Sequence, residues 1–352
     1  MPAASSSRRQ FLSLAALGAF AAACGRASAS GGGGGKETGR IRYQGSAGQV
    51  TLPELAEDLG YLGDVKLEWV GNTISGPQDI QSAATGQTDV GGAFNGAVIK
   101  LIGAGAPVKS VISYYGVDQD AYSGYYVLAD SPIRGPRDLI GKKVAMNTLG
   151  AHAEALLDIY LQRGGLSAAE IAKVEPTVLP PVNTEQALRQ KQIEVAVLGG
   201  VLRDKALAAG GIRPLFSDFD LLGAFNAGTF VMTDRFLKQN PNTSRAFVTG
   251  VAKAIEWSRS TPKAEVIARS VEIVKRRGRN EDPAALQYWK SFGVAAPGGR
   301  VSDQDFQLWI DWLVSHGDIK AGQVKAGDLY SNAFNGFGGA SSPAASPSAS
   351  RS

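Results

Sequence analysis

The sequence predicts an α/β protein, and three observations carry that prediction. Short β-branched or aromatic runs alternate with helix-period segments through the first 230 residues. After residue 233 the pattern is helical only. The stretch 81–90 is echoed by 186–195, an offset of 105 residues, each copy reading as a helix end that feeds a buried strand, as two lobes of similar architecture would give.

A chain of 352 residues suggests two folding units, at roughly 100–200 residues per domain. Its 44% hydrophobic and 19% charged residues, with 44 glycines, describe a globular protein and exclude collagen, coiled coil and wholesale disorder. The formal charge is +4, and no segment interleaves basic residues with aromatics as a nucleic-acid groove does, so no nucleic-acid partner is expected. A single cysteine cannot form an internal disulfide, and two histidines without further cysteines cannot build a common zinc site. The chain calls for no metal and no cofactor.

Residues 1–23 read as an export signal, with Arg8 and Arg9 ahead of an apolar run from Phe11 to Ala23. That run rises only about 20 Å as a helix, short of the ~30 Å hydrocarbon core, so cleavage rather than a permanent span is expected. The paired arginines resemble a twin-arginine signal. Cys24, after Ala21-Ala22-Ala23 and before Gly25, resembles the lipid-accepting cysteine of a bacterial lipoprotein. Two acyl chains there anchor stably where one is marginal. Removal of residues 1–23 lowers the formal charge from +4 to +2. Residues 24–40 read as a flexible tether and 338–352, rich in Ser, Ala, Pro and Gly, as a disordered tail. The folded body is then 41–337.

Within it the strand candidates are 41–44, 65–70, 89–94, 108–115, 124–129, 143–147, 174–179, 194–198, 212–216 and 227–232, in what reads as largely parallel sheets. Between the first two, Leu52, Leu55, Ala56 and Leu59 fall at helical spacing and Gly60 ends the segment. Further on, Phe247, Val248, Val251, Ala254 and Ile255 line one helix face. Thr261-Pro262 marks an N-cap and first turn, and Gly278 a stop. Asp282-Pro283 and Ser302-Asp303 open two more helices, the last with Phe306, Trp309, Ile310 and Leu313 as its packing stripe.

Several of these segments resemble one family in order and spacing. They are Ile41-Arg42-Tyr43-Gln44, Leu55 to Leu62 with its Gly60-Tyr61 pair, Val65 to Val70, Ala84 to Gly91, and Asp138 to Ala145. The chain resembles the extracytoplasmic solute-binding proteins of ABC importers for sulfonates, taurine, nitrate and related molecules. The resemblance implies two Rossmann-like α/β lobes, lobe 1 from 41–122 plus 231–337 and lobe 2 from 123–230. It also implies two crossing strands near 122–130 and 222–232, and C-terminal helices that return to the first lobe. A small solute would lie between the lobes, to be passed to an ABC permease and its ATPase. The protein would be a monomer tied to the outer face of the cytoplasmic membrane by its lipid anchor alone.

Ligands of open α/β sheets sit beyond the carboxyl ends of strands. After the first strand come Gln44, Ser46, Gly48 and Gln49; after the third, Phe94, Asn95 and Gly96; after the sixth, Asn147, Thr148, Gly150, Ala151 and His152. The last group opens a helix, whose free amides and partial positive charge suit an anion, although Asn147 or Thr148 reads equally as a cap of that helix. Gly199 and Gly200 follow the eighth strand, as a close-approach site or a tight turn. Tyr122 and Phe225 are candidate walls, and Asn226 lies on the second crossover. His152 is either a donor to an anion or a solvated first-turn residue; His316 is a helix-end residue.

Enzyme readings find little support. Nucleophile elbow, P-loop and Gly-x-Gly-x-x-Gly turn are all absent. Asp118-x-Asp120 and Asp218-x-Asp220 begin like calcium loops, but Ser123 and Thr229 stand where glycine and glutamate are required. Enzymes of the same fold that cleave sulfinates or form pyrimidines depend on body cysteines, and none follows Cys24. The reading is a binding protein that leaves its solute chemically unchanged; the alternative is an exported enzyme of the same fold acting on a small heterocycle or sulfur compound.

Overall fold

The computed structural model describes residues 36–337. The expected export signal with Arg8 and Arg9, the expected lipidation position Cys24 and the expected tail 338–352 lie outside the described residues. The body starts earlier than residue 41. Glu37 accepts the amides of Asn242 (3.0 Å) and Thr243 (2.9 Å), capping a distant helix, so the last residues of the expected tether belong to the fold.

The chain runs through β1 (Arg40–Gly45), α1 (Leu52–Asp58), β2 (Lys66–Asn72), α2 (Gly76–Ala84), β3 (Gly91–Phe94), α3 (Asn95–Gly103) and β4 (Val108–Val117). It continues with β5 (Ser123–Leu128), β6 (Lys143–Met146), α4 (His152–Arg163), α5 (Ala168–Ile171), β7 (Glu175–Val178), α6 (Pro181–Arg189), β8 (Val195–Gly199), α7 (Gly200–Ala208), β9 (Ile212–Ser217) and α8 (Asp218–Leu222). Last come β10 (Phe225–Thr233), α9 (Asp234–Gln239), α10 (Pro241–Ser260), α11 (Lys263–Arg276) and α12 (Gln304–Ser315). Every predicted strand is present. Thr261 closes α10 and Pro262 caps α11, one residue later than the predicted start. Asp282-Pro283 opens only a 3-10 turn, Ala284–Tyr288.

The strands form a β1-β2 pair, a β3-β10-β4 sheet and a β7-β6-β8-β5-β9 sheet. These are mixed rather than largely parallel. β1 with β2, and β6 with β7 and β8, are parallel, whereas β10 and β5 run antiparallel to both of their neighbours. The cause lies in the crossings. Parallel neighbours need a connection long enough to return the chain to its starting end. β4 passes to β5 through residues 118–122 alone, and β10 is entered through 223–224, so each new strand enters its sheet reversed. The expected lobe boundary at 230 falls inside β10, which pairs along its length with β4.

The five-stranded sheet is covered on both faces: Tyr125 packs with Leu156, Leu157 and Phe216, while its neighbour Tyr126 packs on the other face with Leu188, Leu198 and Ala206. The predicted stripe of α10 (Phe247, Val248, Val251, Ala254, Ile255) is wholly buried and joins α1, β1 and β4 in one cluster. Phe306, Trp309 and Leu313 of α12 pack beside α3 and β10.

The first crossing is pinned. Arg203, on α7, is 1% exposed. It donates to the carbonyls of Asp120 (2.7 Å) and Tyr122 (2.9 Å), pairs with Asp204, and lies 3.7 Å over the Tyr122 ring. Asp204 also takes Lys290 at 3.2 Å, from the irregular segment after α11. That segment can lie flat on β4 because Gly116 and Gly293 meet without side chains; a methyl at Gly116 would run into the carbonyl oxygens of Gly293 and Phe225. Arg203→Ala would leave Asp204 short of its buried partner and is expected to lower unfolding free energy by about 3–5 kcal/mol. Lys290→Ala removes a half-exposed partner and is expected to cost under about 1 kcal/mol. Equal costs for the two in urea unfolding would show that Arg203 does not hold the crossing.

Candidate functional site

Two chambers open between the three-stranded and five-stranded sheets, of about 300 and 350 Å³, sharing Gln49, Tyr115, Ser123, His152 and Gly199. The first is also walled by Tyr122, Asp218, Trp289, Lys290 and Phe292. The second is lined by Phe94, Tyr114, Asn147, Thr148 and Ala151, and by the starts of three helices: Gly76 and Pro77 of α2, His152 and Ala153 of α4, Pro181 and Thr184 of α6. Among the described residues, no Lys, Arg, Asp or Glu lines it. The start of α7, at Gly200 and Val201, borders the first chamber, and φ of +51° makes Gly200 a position suited to glycine. First-turn amides have no acceptor within their own helix; Pro77 and Pro181 carry no N–H, so the free donors are those of the other first-turn residues, chiefly of α2 and α4, and the helix ends bring partial positive charge to the second chamber.

The candidate residues divide accordingly. Gln49, Phe94, Tyr122, Asn147, Thr148, Ala151, His152, Gly199 and Gly200 border a chamber. Gln44, Ser46, Gly48, Asn95, Gly96, Gly150 and Asn226 do not. Gln44 is still within β1, and the loop after it is held by Arg277, which donates to the carbonyls of Ser46 (3.2 Å) and Gln49 (2.9 Å) and pairs with Glu54. Gly48 rests against the backbone of Asp282, and Gly96 under the ring of Phe94. Asn95 is sealed, donating to Asp305 O at 2.9 Å. Gly150 gives its amide to Glu154. Asn226 accepts from Ala295 (2.9 Å) and donates to Asp305 (3.1 Å), a structural brace. Neither Asn147 nor Thr148 caps α4, whose N-cap is Ala151; Asn147 donates instead to Ile74 O (3.3 Å) across the opening.

Tyr115, Ser123, Asp218 and the Trp289–Phe292 wall were not among the candidates. Asp218 follows the ninth strand and was open to the same strand-end rule. Trp289 and Phe292 carried no such signal, since they lie where the pattern is helical or irregular.

His152 occupies the partition between the chambers. Its ring stacks on Phe94 (5.3 Å, 12°) and meets Phe225 edge-on (5.8 Å). Nε2 is sealed from solvent without a hydrogen bond, 3.4 Å from Asp218 Oδ2. Burial drives the imidazole down to about 4 and lifts the Asp218 carboxyl to about 7, against the amides of Ser123 and Phe219 that favour its charged form. His316 caps the end of α12, with Nδ1 2.8 Å from Trp312 O. An unfolded chain binds a proton at His152 near the ordinary 6.5, the folded one only near 4, so the contribution of His152 to stability is present above 6.5 and is lost as pH falls through 4. Against His152→Phe, the wild type is expected to lose roughly 3 kcal/mol between pH 7 and pH 4; parallel stability–pH curves for the two would remove the burial argument.

A family model described as NMT1/THI5 like matches residues 55–265. No curated protein sequence matches the chain. Among solved structures, the alkanesulfonate-binding protein SsuA from Xanthomonas axonopodis pv. citri, bound to MOPS, superposes with a TM-score of 0.65 at 20% identity, over 84% of this chain and 99% of that one. The periplasmic nitrate-binding protein NrtA from Synechocystis PCC 6803 gives 0.66 at 13% identity, over 85% and 87%. The desulfurization enzyme DSZB gives 0.58 at 14% identity, over 84% and 97%. At such identities these structures establish the fold, that of the periplasmic binding proteins, and the fold alone. With a family match running from α1 into α11 across more than half of the chain, this protein belongs to the NMT1/THI5-like family.

Proposed function

We propose that this protein captures a small anionic organic solute, such as a sulfonate, between its two sheet systems and delivers it unchanged to an ABC permease and its ATPase. The observation that carries the reading is the second chamber. Helix starts from α2, α4 and α6 converge on a space of about 350 Å³ without a charged side chain, beside Phe94, Tyr114 and Tyr115. Oriented amides stabilise an anion there without the desolvation of a lysine, and the aromatic walls accept its carbon part. Micromolar affinity corresponds to about −8 kcal/mol, within reach of a few charge-assisted hydrogen bonds and apolar burial. The two short crossings supply a hinge, and the Asn147 to Ile74 bond joins the two sides of the opening. The occurrence of MOPS in a structural relative supports the choice of ligand class.

The remaining parts of the reading follow from the N-terminal sequence. The protein leaves the cytoplasm by the twin-arginine signal and stays at the outer face of the membrane, as a monomer, through a lipid on Cys24. No described helix is long and apolar enough to cross a membrane.

Isothermal titration of the exported protein with MOPS, ethanesulfonate and nitrate tests capture, and mass spectrometry of the recovered solute tests whether it is altered. Ala153→Pro removes one first-turn amide at a helix position that tolerates proline. It is expected to weaken sulfonate binding about tenfold or more with little change in the unfolding midpoint. Unchanged affinity would take α4 out of the site, and turnover abolished in His152→Ala would make the protein an exported enzyme.

A further inference from the structure

We propose that His152 is a specificity-determining residue of the cleft: Asp218 fixes its ring proton on Nε2, so Nδ1 offers a lone pair and the solute best retained carries a hydrogen-bond donor beside its anionic group. The inference rests on the cleft reading above and narrows the solute class.

The ring cannot turn freely, with Phe94 stacked on one side, Phe225 and Trp309 at its edges (5.8 and 6.3 Å) and Tyr115 at 6.2 Å. None of these rings accepts a conventional hydrogen bond from it. Nε2 is the sealed nitrogen, and Asp218 Oδ2 is the carboxylate oxygen beside it. Asp218 already receives only donors: the Ser123 amide reaches Oδ1 (3.0 Å) and Oδ2 (3.1 Å), and the Phe219 amide reaches Oδ1 (2.8 Å). A carboxylate held in this way takes a further N–H. A neutral imidazole has one donor and one acceptor nitrogen, so a proton on Nε2 leaves Nδ1 as acceptor. Nδ1 makes no hydrogen bond within the described protein, and the residue borders both chambers. A bare oxyanion meets that lone pair with repulsion, while a hydroxyl or N–H donates to it. The amides at the helix starts then hold the anionic end and His152 the donor end of one small molecule.

The test compares ethanesulfonate with 2-hydroxyethanesulfonate by titration at pH 8, above the value of about 7 to which burial lifts Asp218. The wild type is expected to favour the hydroxylated compound about tenfold, and His152→Phe to bring the ratio of the two affinities to about one. In Asp218→Asn the side-chain oxygen can keep the two amides at the Oδ1 position, and its NH₂ then faces Nε2. The ring proton moves to Nδ1 and the preference is expected to reverse. With only two histidines in the chain, ¹⁵N spectra of wild type and His152→Phe assign the tautomer directly; the wild type is expected to be protonated on Nε2. Equal affinity of the wild type for the two sulfonates, or a proton found on Nδ1, overturns this inference and leaves the cleft reading standing. Failure to bind either sulfonate overturns the cleft reading and this inference with it.

Discussion

Arg203 is the group on which the geometry of the cleft depends. An always-charged guanidinium with its side chain almost wholly out of solvent is tolerated only when its donors are met, and here they are met by Asp204 and by the carbonyls of the crossing segment itself. One side chain from α7 thereby fixes where β4 gives way to β5, seats Tyr122 against the first chamber, and through Asp204 and Lys290 holds the Trp289–Phe292 wall in place. The ion pair is costly to bury, and what it secures is position.

The chambers follow a second electrostatic logic. Charged side chains line the first chamber, with Asp218 buried in its wall and Asp204 paired with Lys290, and among the described residues none lines the second, where the positive potential comes from peptide dipoles. Such a lining suits the proposed anion, because no strongly hydrated cation would have to be stripped first. The same dry setting keeps His152 neutral at physiological pH, and a neutral imidazole distinguishes a donor from an acceptor where an imidazolium would attract any anion.

The alternation of strands and helices was legible because burial on both faces of a sheet demands continuous apolar runs, as in Val195 to Leu198, and because amphipathic stripes such as that of α10 mark a single buried face. Sheet direction was not legible, since it depends on which way a five-residue crossing delivers the chain. The strand-end rule named Phe94, Asn147, Thr148, His152 and Gly199, and these border the chambers because the chain leaves the ends of β3, β6 and β8 beside the space between the two sheets. It failed at Ser46 and Asn226. Their polar groups are spent on Arg277 and on the amides of Ala295 and Ala296, partners 69 or more residues away.

By itself the sequence determined the α/β class, the position of every strand, the helical C-terminal portion and a polar, glycine-containing set of loops suited to a small ligand. These properties are local, arising from residue spacing and backbone preference within a dozen positions. Only the tertiary structure decided which of those loops meet, that Asp218 and His152 share a wall, and that residues 289–292 close the first chamber. Such pairings are settled by packing and by the demand that every buried polar group find a partner, and neither is written in the spacing of one segment.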